Sequence, residues 1–299
     1  SNVSQPRRTS RGILGAQATR RVSMGLKSAT TLIIAAFGGW SDASEATTEA
    51  LDFLIDAWDA HEAYEIPADD HYDYLLNRPE AIINFEGQRE IDWPRTTVYH
   101  AHTHPLTGVE VYFVLGDEPN LRWRSFCDQI FAAVPRSQSP VLITLGSMAA
   151  GLAHSRPFPV YGHTNDVALQ ESTGYEASRY EGPTGILGVM QSLAHERGIP
   201  SVSLWTAVPE YTQHAPCPKA SLALLRNLED LLDITLSLDE MTEDSHAWER
   251  SVQQLATEDE EIADYVRTLE ASQDTVDLPE ATGEAIAKEF ERYLRRRER

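Results

Sequence analysis

Residues 32–39 read LIIAAFGG, a run of six apolar residues that ends at two glycines. A continuous apolar run, without polar residues at alternate positions, is typical of a strand buried on both faces of a parallel or mixed sheet. Ser41 or Asp42 can cap a helix that begins after the glycines. That helix is predicted to be amphipathic, with apolar residues recurring every three or four positions at Leu51, Leu54, Ile55 and Trp58.

The same strand–turn–helix pattern recurs along the chain. Further strands are predicted at 109–116, 141–146, 158–162 and 201–208. Helices with an apolar face are predicted at 123–134, 186–197 and 224–232. Strands that alternate with helices indicate an α/β fold, so we expect three layers, α/β/α, around a central mixed sheet.

The character of the chain changes at about residue 239. Residues 239–291 contain 17 acidic and three basic residues and show no strand pattern. Helical apolar stripes remain there at Trp248/Val252/Leu255, Ile262/Tyr265/Val266/Leu269 and Ile286/Phe290/Tyr293/Leu294. We therefore divide the chain into a basic leader (1–29), an α/β/α core (30–238) and an acidic helical extension (239–299). The extension is expected to pack on the core or on a neighbouring subunit.

The net charge of −21 argues against nucleic acid as the main partner, because neutralising phosphates requires clustered Lys and Arg. Residues 1–27 alone are basic, with six Lys or Arg and no acid. A basic arm of this kind can bind nucleic acid or anionic lipid. Its composition favours a disordered leader instead, part of which need not belong to the native protein.

Membrane and redox signals point to one compartment. The longest apolar runs have about six residues, against the roughly 20 that a membrane-spanning helix needs. Two cysteines do not make a disulfide framework. We expect no membrane span and a cytoplasmic location.

Five segments stand out in order along the chain: FGGWSDA (37–43), HSRP (154–157), YEGPTGI (180–186), SLWTAVP (203–209) and PKASLALL (218–225). Together they resemble the actinobacterial branch of the PAC2 (proteasome assembly chaperone 2-like) family. The resemblance implies a phosphorylase/nucleosidase-like α/β/α fold with a helical C-terminal addition. It also implies a homo-oligomer, with a trimer as one candidate. Eukaryotic and archaeal members look like non-enzymatic chaperones or adaptors for proteasome assembly.

Two departures from the family pattern limit what the resemblance implies. Relatives that dock on the proteasome often end in a hydrophobic–Tyr–any-residue tail, whose carboxylate pairs with a lysine of the proteasome ring. This chain ends Arg297-Glu298-Arg299, and six residues follow Tyr293, so docking by that route is not expected. Glu210 stands where the family more often has His, which weakens any role inferred for that position.

The candidate binding residues lie where strands are expected to end. Ligands of open α/β sheets bind beyond the carboxyl ends of the strands, and helix N-termini there favour anions. The ligand-binding candidates are Gly39, Trp40, Asp42, His154, Arg156, Glu181, Thr184 and Tyr211. The alternatives are structural: Asp42 and Thr184 as helix caps, the glycines as tight turns, and Arg156 as an ion-pair partner within a loop.

His100, His102 and His104 form the one candidate metal motif. Residues i, i+2 and i+4 of a strand point to one face, so three imidazoles could converge on Zn²⁺. The segment lies between Pro94 and Pro105, however, and no Cys or carboxylate at fixed spacing completes a site. Exposed loop histidines are the alternative that we favour, and we expect neither a metal nor a cofactor.

These observations favour a non-catalytic binding or assembly protein that acts as a homo-oligomer. No G-x-S-x-G nucleophile elbow is present, and the sequence assigns no catalytic residue. Two alternatives stay open. One is a nucleosidase- or phosphorylase-like enzyme that uses Asp42, Glu181 or His154 as acid/base and Arg156 or the glycine turns as an anion site. The other is a protein that binds a small ligand at the strand ends.

Overall fold

A seven-stranded sheet organises the protein, whose computed structural model describes residues 26, 28–135, 139–212 and 216–275. The strands stand in the order β2-β5-β6-β1-β7-β9-β8. Their bounds are β1 Thr31–Gly38, β2 Ala60–Ile66, β5 Thr96–Ala101, β6 Glu110–Asp117, β7 Pro140–Ala150, β8 Val160–His163 and β9 Ser201–Pro209. A separate two-stranded sheet pairs β3 Glu80–Ile83 with β4 Arg89–Asp92.

The four central strands, β6, β1, β7 and β9, are parallel, and β5 and β8 join them antiparallel. The sheet is therefore mixed, as predicted. Strands that run in one direction end at the same side of a sheet. We call that side the carboxyl edge, where the parallel strands end at Gly38, Asp117, Ala150 and Pro209. The opposite side, where they begin, is the amino edge.

Helices cover both faces of the sheet. On one face, α1 (Ala46–Ala57) and α5 (Pro218–Leu232) pack against Ile34 and its neighbours in the core. On the other face, α2 (Trp123–Ala133) and α4 (Ile186–Glu196) pack against Ile33 and Phe37. A short helix, α3 (Val167–Thr173), follows β8. The alternating directions of successive β1 side chains account for the two separate apolar clusters, and the predicted α/β/α architecture is confirmed.

Two acidic helices, α6 (Asp239–Glu258) and α7 (Glu260–Thr275), lie against the core of the same chain. Met241 of α6 belongs to the apolar cluster of α1 and α5. The ring centroids of Trp248 and Phe158 are 6.0 Å apart. The domain boundaries at 29/30 and 238/239 stay a prediction. The leader up to residue 25, the third helical stripe and the terminal Arg297-Glu298-Arg299 lie outside the described residues.

The segment between α1 and β6 contains strands that the sequence patterns did not predict. β2 is exposed over most of its length, and both β3 and β4 are exposed throughout. Strands of this kind lack the continuous apolar run of a buried strand. Within the described ranges, every helix is too short or too polar to traverse a lipid bilayer.

Candidate functional site

Asp42 organises the loop between β1 and α1. One carboxylate oxygen accepts hydrogen bonds from the amide and the hydroxyl of Thr47, each at 2.7 Å, and the other accepts from the Thr48 hydroxyl at 2.6 Å. The carboxylate thereby satisfies the amide of Thr47, the second residue of α1, and its negative charge interacts favourably with the positive end of the helix dipole. The N-cap residue of α1 is Glu45, and Asp42 performs the predicted capping function from three residues upstream, through its bonds to Thr47 and Thr48.

The loop that follows Asp42 is held in an uncommon backbone conformation. Ser44 and Glu45 both have φ of 56°, in the left-handed region that non-glycine residues rarely adopt. Hydrogen bonds from two other elements hold the loop there. The Ser147 hydroxyl of β7 donates to the Ala43 carbonyl at 3.0 Å, and the Cys217 amide, just before α5, donates to the Ser44 carbonyl at 3.0 Å.

The turn after β1 and the turn before α4 meet at the carboxyl edge. The Glu118 amide donates to the Gly38 carbonyl, and Glu118 Oε1 accepts from the Ile186 amide, both at 2.9 Å. A Cβ on Gly185 would lie 2.5 Å from the Trp40 ring, so only glycine allows this approach. The cap of α4 was predicted wrongly: Gly185, not Thr184, is the capping residue, and the Glu118 side chain satisfies the helix amide.

Beside this contact lies a cavity of about 310 Å³, which we call the aromatic cavity. Its walls include Trp40, Tyr180, Thr184, Leu187, Gln191 and Trp205. The Tyr180 hydroxyl donates to the Pro183 carbonyl at 2.6 Å, and Trp205 Nε1 donates to the Ser203 hydroxyl at 2.9 Å. Burial raises the pKa of Tyr180, so the phenol stays protonated at neutral pH. The cavity thus offers flat aromatic walls, and its polar lining residues include His163, Ser178, Thr184, Gln191 and Ser203.

A second cavity at the carboxyl edge, of about 560 Å³, is acidic. Its lining includes Gly39, Asp42, Asp52, Asp92, Arg95 and Asp117. Burial raises the pKa of Asp52 and of Asp117, because removing a carboxylate from water disfavours its charged form. The predicted binding residues are therefore divided: Trp40 and Thr184 face the aromatic cavity, Gly39 and Asp42 face the acidic one, and exposed Glu181 lines neither of the two.

His154 is fully buried and both of its ring nitrogens are hydrogen-bonded. Nδ1 lies 2.8 Å from the Tyr211 hydroxyl, and Nε2 lies 3.0 Å from Gln253 Oε1 of α6. Because the Gln253 oxygen can only accept, Nε2 carries the proton and Nδ1 accepts from Tyr211. Burial lowers the pKa of His154, which fits a neutral ring. Burial also raises the pKa of Tyr211 to about 12, so its hydroxyl remains a donor.

The residues around His154 join the core to the acidic helices. The Lys219 ammonium donates to the His154 carbonyl at 2.5 Å and to Glu249 of α6 at 2.6 Å. Glu270 of α7 accepts from the Ser155 hydroxyl and pairs with Arg156 at 3.7 Å. The structure thus brings the predicted residues His154, Arg156 and Tyr211 together, with α6 and α7 as their partners.

Four partners in this network were missed from the sequence: Lys219, Glu249, Gln253 and Glu270. Lys219 belongs to a quoted motif, PKASLALL, and that motif was the only signal pointing to it. No spacing rule distinguishes Gln253 or Glu270 from the other polar residues of their helices.

The three histidines of the metal motif lie at the amino edge, away from both cavities. His100 alone belongs to β5; its Nε2 is 2.7 Å from Glu110 Oε2, and its ring stacks on Tyr112. His102 and His104 follow the end of the strand, so the alternation of a strand does not align the three side chains. In the part of the chain that the structure describes, no group of three or more His, Cys, Asp or Glu side chains could hold a metal ion.

Comparisons with known proteins agree on one family. A family model described as the PAC2 family matches residues 36–256. The structure resembles a PAC2 family protein from Streptomyces avermitilis, with 39% identity and a TM-score of 0.71 over 79% of this chain and 99% of the other. A proteasome-assembly chaperone homologue from Mycobacterium tuberculosis gives 40% identity and a TM-score of 0.70 over the same shares, 79% and 99%.

More distant similarity extends to archaea. A proteasome activator from Pyrococcus furiosus shares the fold at 15% identity, with a TM-score of 0.59 over 76% of this chain and 93% of the other. At that identity the likeness concerns the fold alone. Among curated proteins, none matches the chain.

Proposed function

Because the chain belongs to the PAC2 family, we propose that it is a non-catalytic binding or assembly protein that acts as a homo-oligomer in the cytoplasm. The name of its M. tuberculosis relative, a proteasome-assembly chaperone homologue, supports a role in the assembly of other proteins. The molecule that this chain binds is then another protein.

One observation carries this proposal: the side chains with the best chemistry for catalysis are engaged in holding the chain together. Asp42 binds the first turn of α1, and both ring nitrogens of His154 are bonded to Tyr211 and Gln253. A general acid or base must be able to reach the proton that it transfers. Arg156, the candidate anion ligand, pairs with Glu270 of α7.

A second candidate function, binding of a small ligand, is favoured by the aromatic cavity. Its volume of about 310 Å³ is at the lower end of the range for ligand pockets, which are mostly apolar with a few polar groups. Trp40 and Trp205 could stack on a planar ring such as a nucleobase. The enzyme version of this alternative also needs an acid/base: Glu181 is exposed and lines neither cavity, whereas the His163 imidazole lines the aromatic cavity and is the candidate for that role.

The test combines an affinity pull-down and native mass spectrometry with a turnover screen. We expect an oligomer and a bound protein partner, and no turnover of nucleosides with phosphate at high protein concentration. Turnover of a nucleoside, abolished in His163→Gln, would overturn the proposal in favour of the enzyme. A retained small ligand that is lost in Trp40→Ala, without a protein partner, would support the binding alternative.

A further inference from the structure

The described residues that line the aromatic cavity include no carboxylate, ammonium or guanidinium group. Among them, only the His163 imidazole can take up a positive charge. Charged residues make up 24% of the chain, so the uncharged lining sets this cavity apart from the rest of the molecule. Removing a charged group from water is unfavourable unless an opposite charge or several hydrogen bonds receive it. The cavity therefore selects a ligand without a net charge.

Negative charge beside the cavity opposes anions in particular. Gly185 is a lining residue, and a Cβ on it would lie 2.8 Å from Glu118 Oε1. The same oxygen accepts a hydrogen bond from the Ile186 amide at 2.9 Å. A carboxylate of the chain thus holds the first amide of α4, although helix N-termini otherwise attract phosphate. A phosphate group on a ligand would meet negative charge at this end of the cavity.

The aromatic walls are held in place by the rest of the fold. A Cβ on Gly146 of β7 would lie 2.5 to 2.6 Å from Cδ2, Cε2 and Cε3 of Trp205. These three atoms belong to the six-membered ring, so the glycine packs against one face of that ring. The other face is available to the cavity that Trp205 lines. Because Gly185 packs closely on Trp40 in the same way, a ligand meets preformed walls and loses little binding free energy to their ordering.

The size and shape of the cavity suit one planar ring system. Its volume of about 310 Å³ is at the lower end of the range for ligand pockets, which excludes a cofactor built of several linked groups. Aromatic faces attract a flat ring through offset stacking, and bases stack on such side chains whatever their sequence. The walls thus favour a flat heterocycle over an aliphatic ligand.

Gln191 of α4 supplies a hydrogen-bonding group at the cavity. It lines the cavity, and its amide forms no hydrogen bond with another described residue. A glutamine amide presents an acceptor oxygen beside a donor nitrogen. This pair bonds in two places to a ring edge that carries a donor next to an acceptor, as glutamine does with adenine. The ligand class is thereby narrowed to heterocycles that carry such an edge.

We propose that the aromatic cavity binds the ring of a nucleobase, as the free base or as its nucleoside, with the ring stacked on tryptophan and its polar edge on Gln191. A nucleobase is flat and carries donors and acceptors side by side. A nucleotide binds more weakly, because its phosphate finds no counter-charge. This inference rests on the small-ligand candidate of the proposed function and names the class of that ligand.

Isothermal titration calorimetry of the purified chain tests the ligand class. The probes are adenine, hypoxanthine, cytosine and uracil, their nucleosides and their 5′-monophosphates. Titrations at pH 8 keep histidine side chains ordinarily uncharged. We expect at least one base or nucleoside to bind with a Kd below about 1 mM. Its monophosphate should bind about tenfold more weakly or worse, because a charge is buried without a counter-charge.

Two variants test the site. Gln191→Leu removes the amide and keeps a side chain of similar size, and Trp40→Ala removes one wall. Each should weaken binding about tenfold or more, the loss that goes with one bidentate pair or one stacked ring. Their matched controls are Gln254→Leu, at an exposed glutamine of α6, and Trp93→Ala, at a tryptophan of the acidic cavity. Both controls should keep the wild-type affinity.

Circular dichroism and melting temperature first establish that each variant folds, and Tyr180→Ala replaces Trp40→Ala if that variant does not. If no base or nucleoside binds at about 1 mM, the inference is overturned and the proposed protein partner is untouched. Binding that survives in both site variants, or monophosphates that bind as tightly as nucleosides, also overturns it. A nucleoside that is bound here and cleaved would support the ligand class and overturn the non-catalytic function, so the two proposals fail separately.

Discussion

Replacing Gly185 by alanine tests the contact between the two turns at the carboxyl edge. The added Cβ would lie 2.5 Å from the Trp40 ring and 2.8 Å from Glu118 Oε1. The backbone of Gly185 has φ of −90°, which alanine adopts without strain. Any loss of stability therefore comes from the crowded side chains.

Two effects set the magnitude of that loss. Overpacking against the Trp40 ring costs about 1–3 kcal/mol. Displacing Glu118 removes its 2.9 Å hydrogen bond to the Ile186 amide, a bond to a charged group whose net contribution is about 1.5–3 kcal/mol. Because part of the overpacking is relieved when Glu118 moves, we expect a total of about 3 kcal/mol. For a domain of this size that lowers Tm by roughly 6–12 °C.

Urea unfolding followed by circular dichroism measures the change. Gly38→Ala is the matched control, since a Cβ there meets its nearest atom at 3.6 Å, an ordinary contact. A double-mutant cycle with Glu118→Ala should give a coupling energy of about 1 kcal/mol or more. If the two substitutions are additive, or if Gly185→Ala is as stable as Gly38→Ala, the contact between the two turns at the carboxyl edge is refuted.

The remaining predictions concern the buried groups. Burial lowers the pKa of His154 below its ordinary value of 6.5, so as the pH falls the unfolded chain takes up a proton before the folded protein does. The stabilisation from neutral His154 is therefore complete above pH 6.5 and is lost progressively below it. The urea midpoint should drop between pH 8 and pH 6, and it should drop less in His154→Gln. Burial raises the pKa of both Cys127 and Cys217 to about 12. A thiol reagent at pH 8 should therefore label neither cysteine in the folded protein and both in urea. Rapid labelling without urea would contradict this prediction. Gln253→Ala leaves the His154 Nε2–H without its acceptor, so it should lower the free energy of unfolding by about 1 kcal/mol. It should also speed proteolysis of α6 and α7, whereas the neighbouring Gln254→Ala should not. Equal rates of proteolysis in the two variants would contradict a role of Gln253 in holding α6 on the core.

The central sheet could be predicted from the sequence because its strands are buried on both faces. The continuous apolar runs near 32, 110, 142 and 202 became β1, β6, β7 and β9, side by side. The edge strand β2 could not be predicted in the same way, although a strand was predicted at 158–162, close to the other edge strand, β8. β2 reads AHEAYEI and is mostly exposed, so it has neither a continuous run nor a clean alternation.

The role of a residue could be predicted where its partner lies nearby in the sequence, and could not where the partner lies far along the chain. Asp42 caps a helix that begins four residues later, and the sequence pattern contains that relation. The cap of α4 comes from Glu118, which is 68 residues away from Ile186. His154 meets Gln253 across 99 residues, so its role depends on how α6 packs, which the residue types alone do not reveal.

The role of the motif residues changed for the same reason. His154, Arg156 and Tyr211 were predicted as ligand contacts from their chemistry and their place after strands. In the structure they form one cluster, in which Gln253 of α6 and Glu270 of α7 are the partners of His154 and Arg156. A side chain suited to binding an anion is equally suited to binding a carboxylate of its own chain.

The mass of the purified protein in solution tests the proposed assembly role most directly. Sedimentation equilibrium at micromolar concentration should give a single species whose mass is a whole multiple, greater than one, of 33.4 kDa. A species of 33.4 kDa that stays unchanged as the concentration rises would contradict the homo-oligomer.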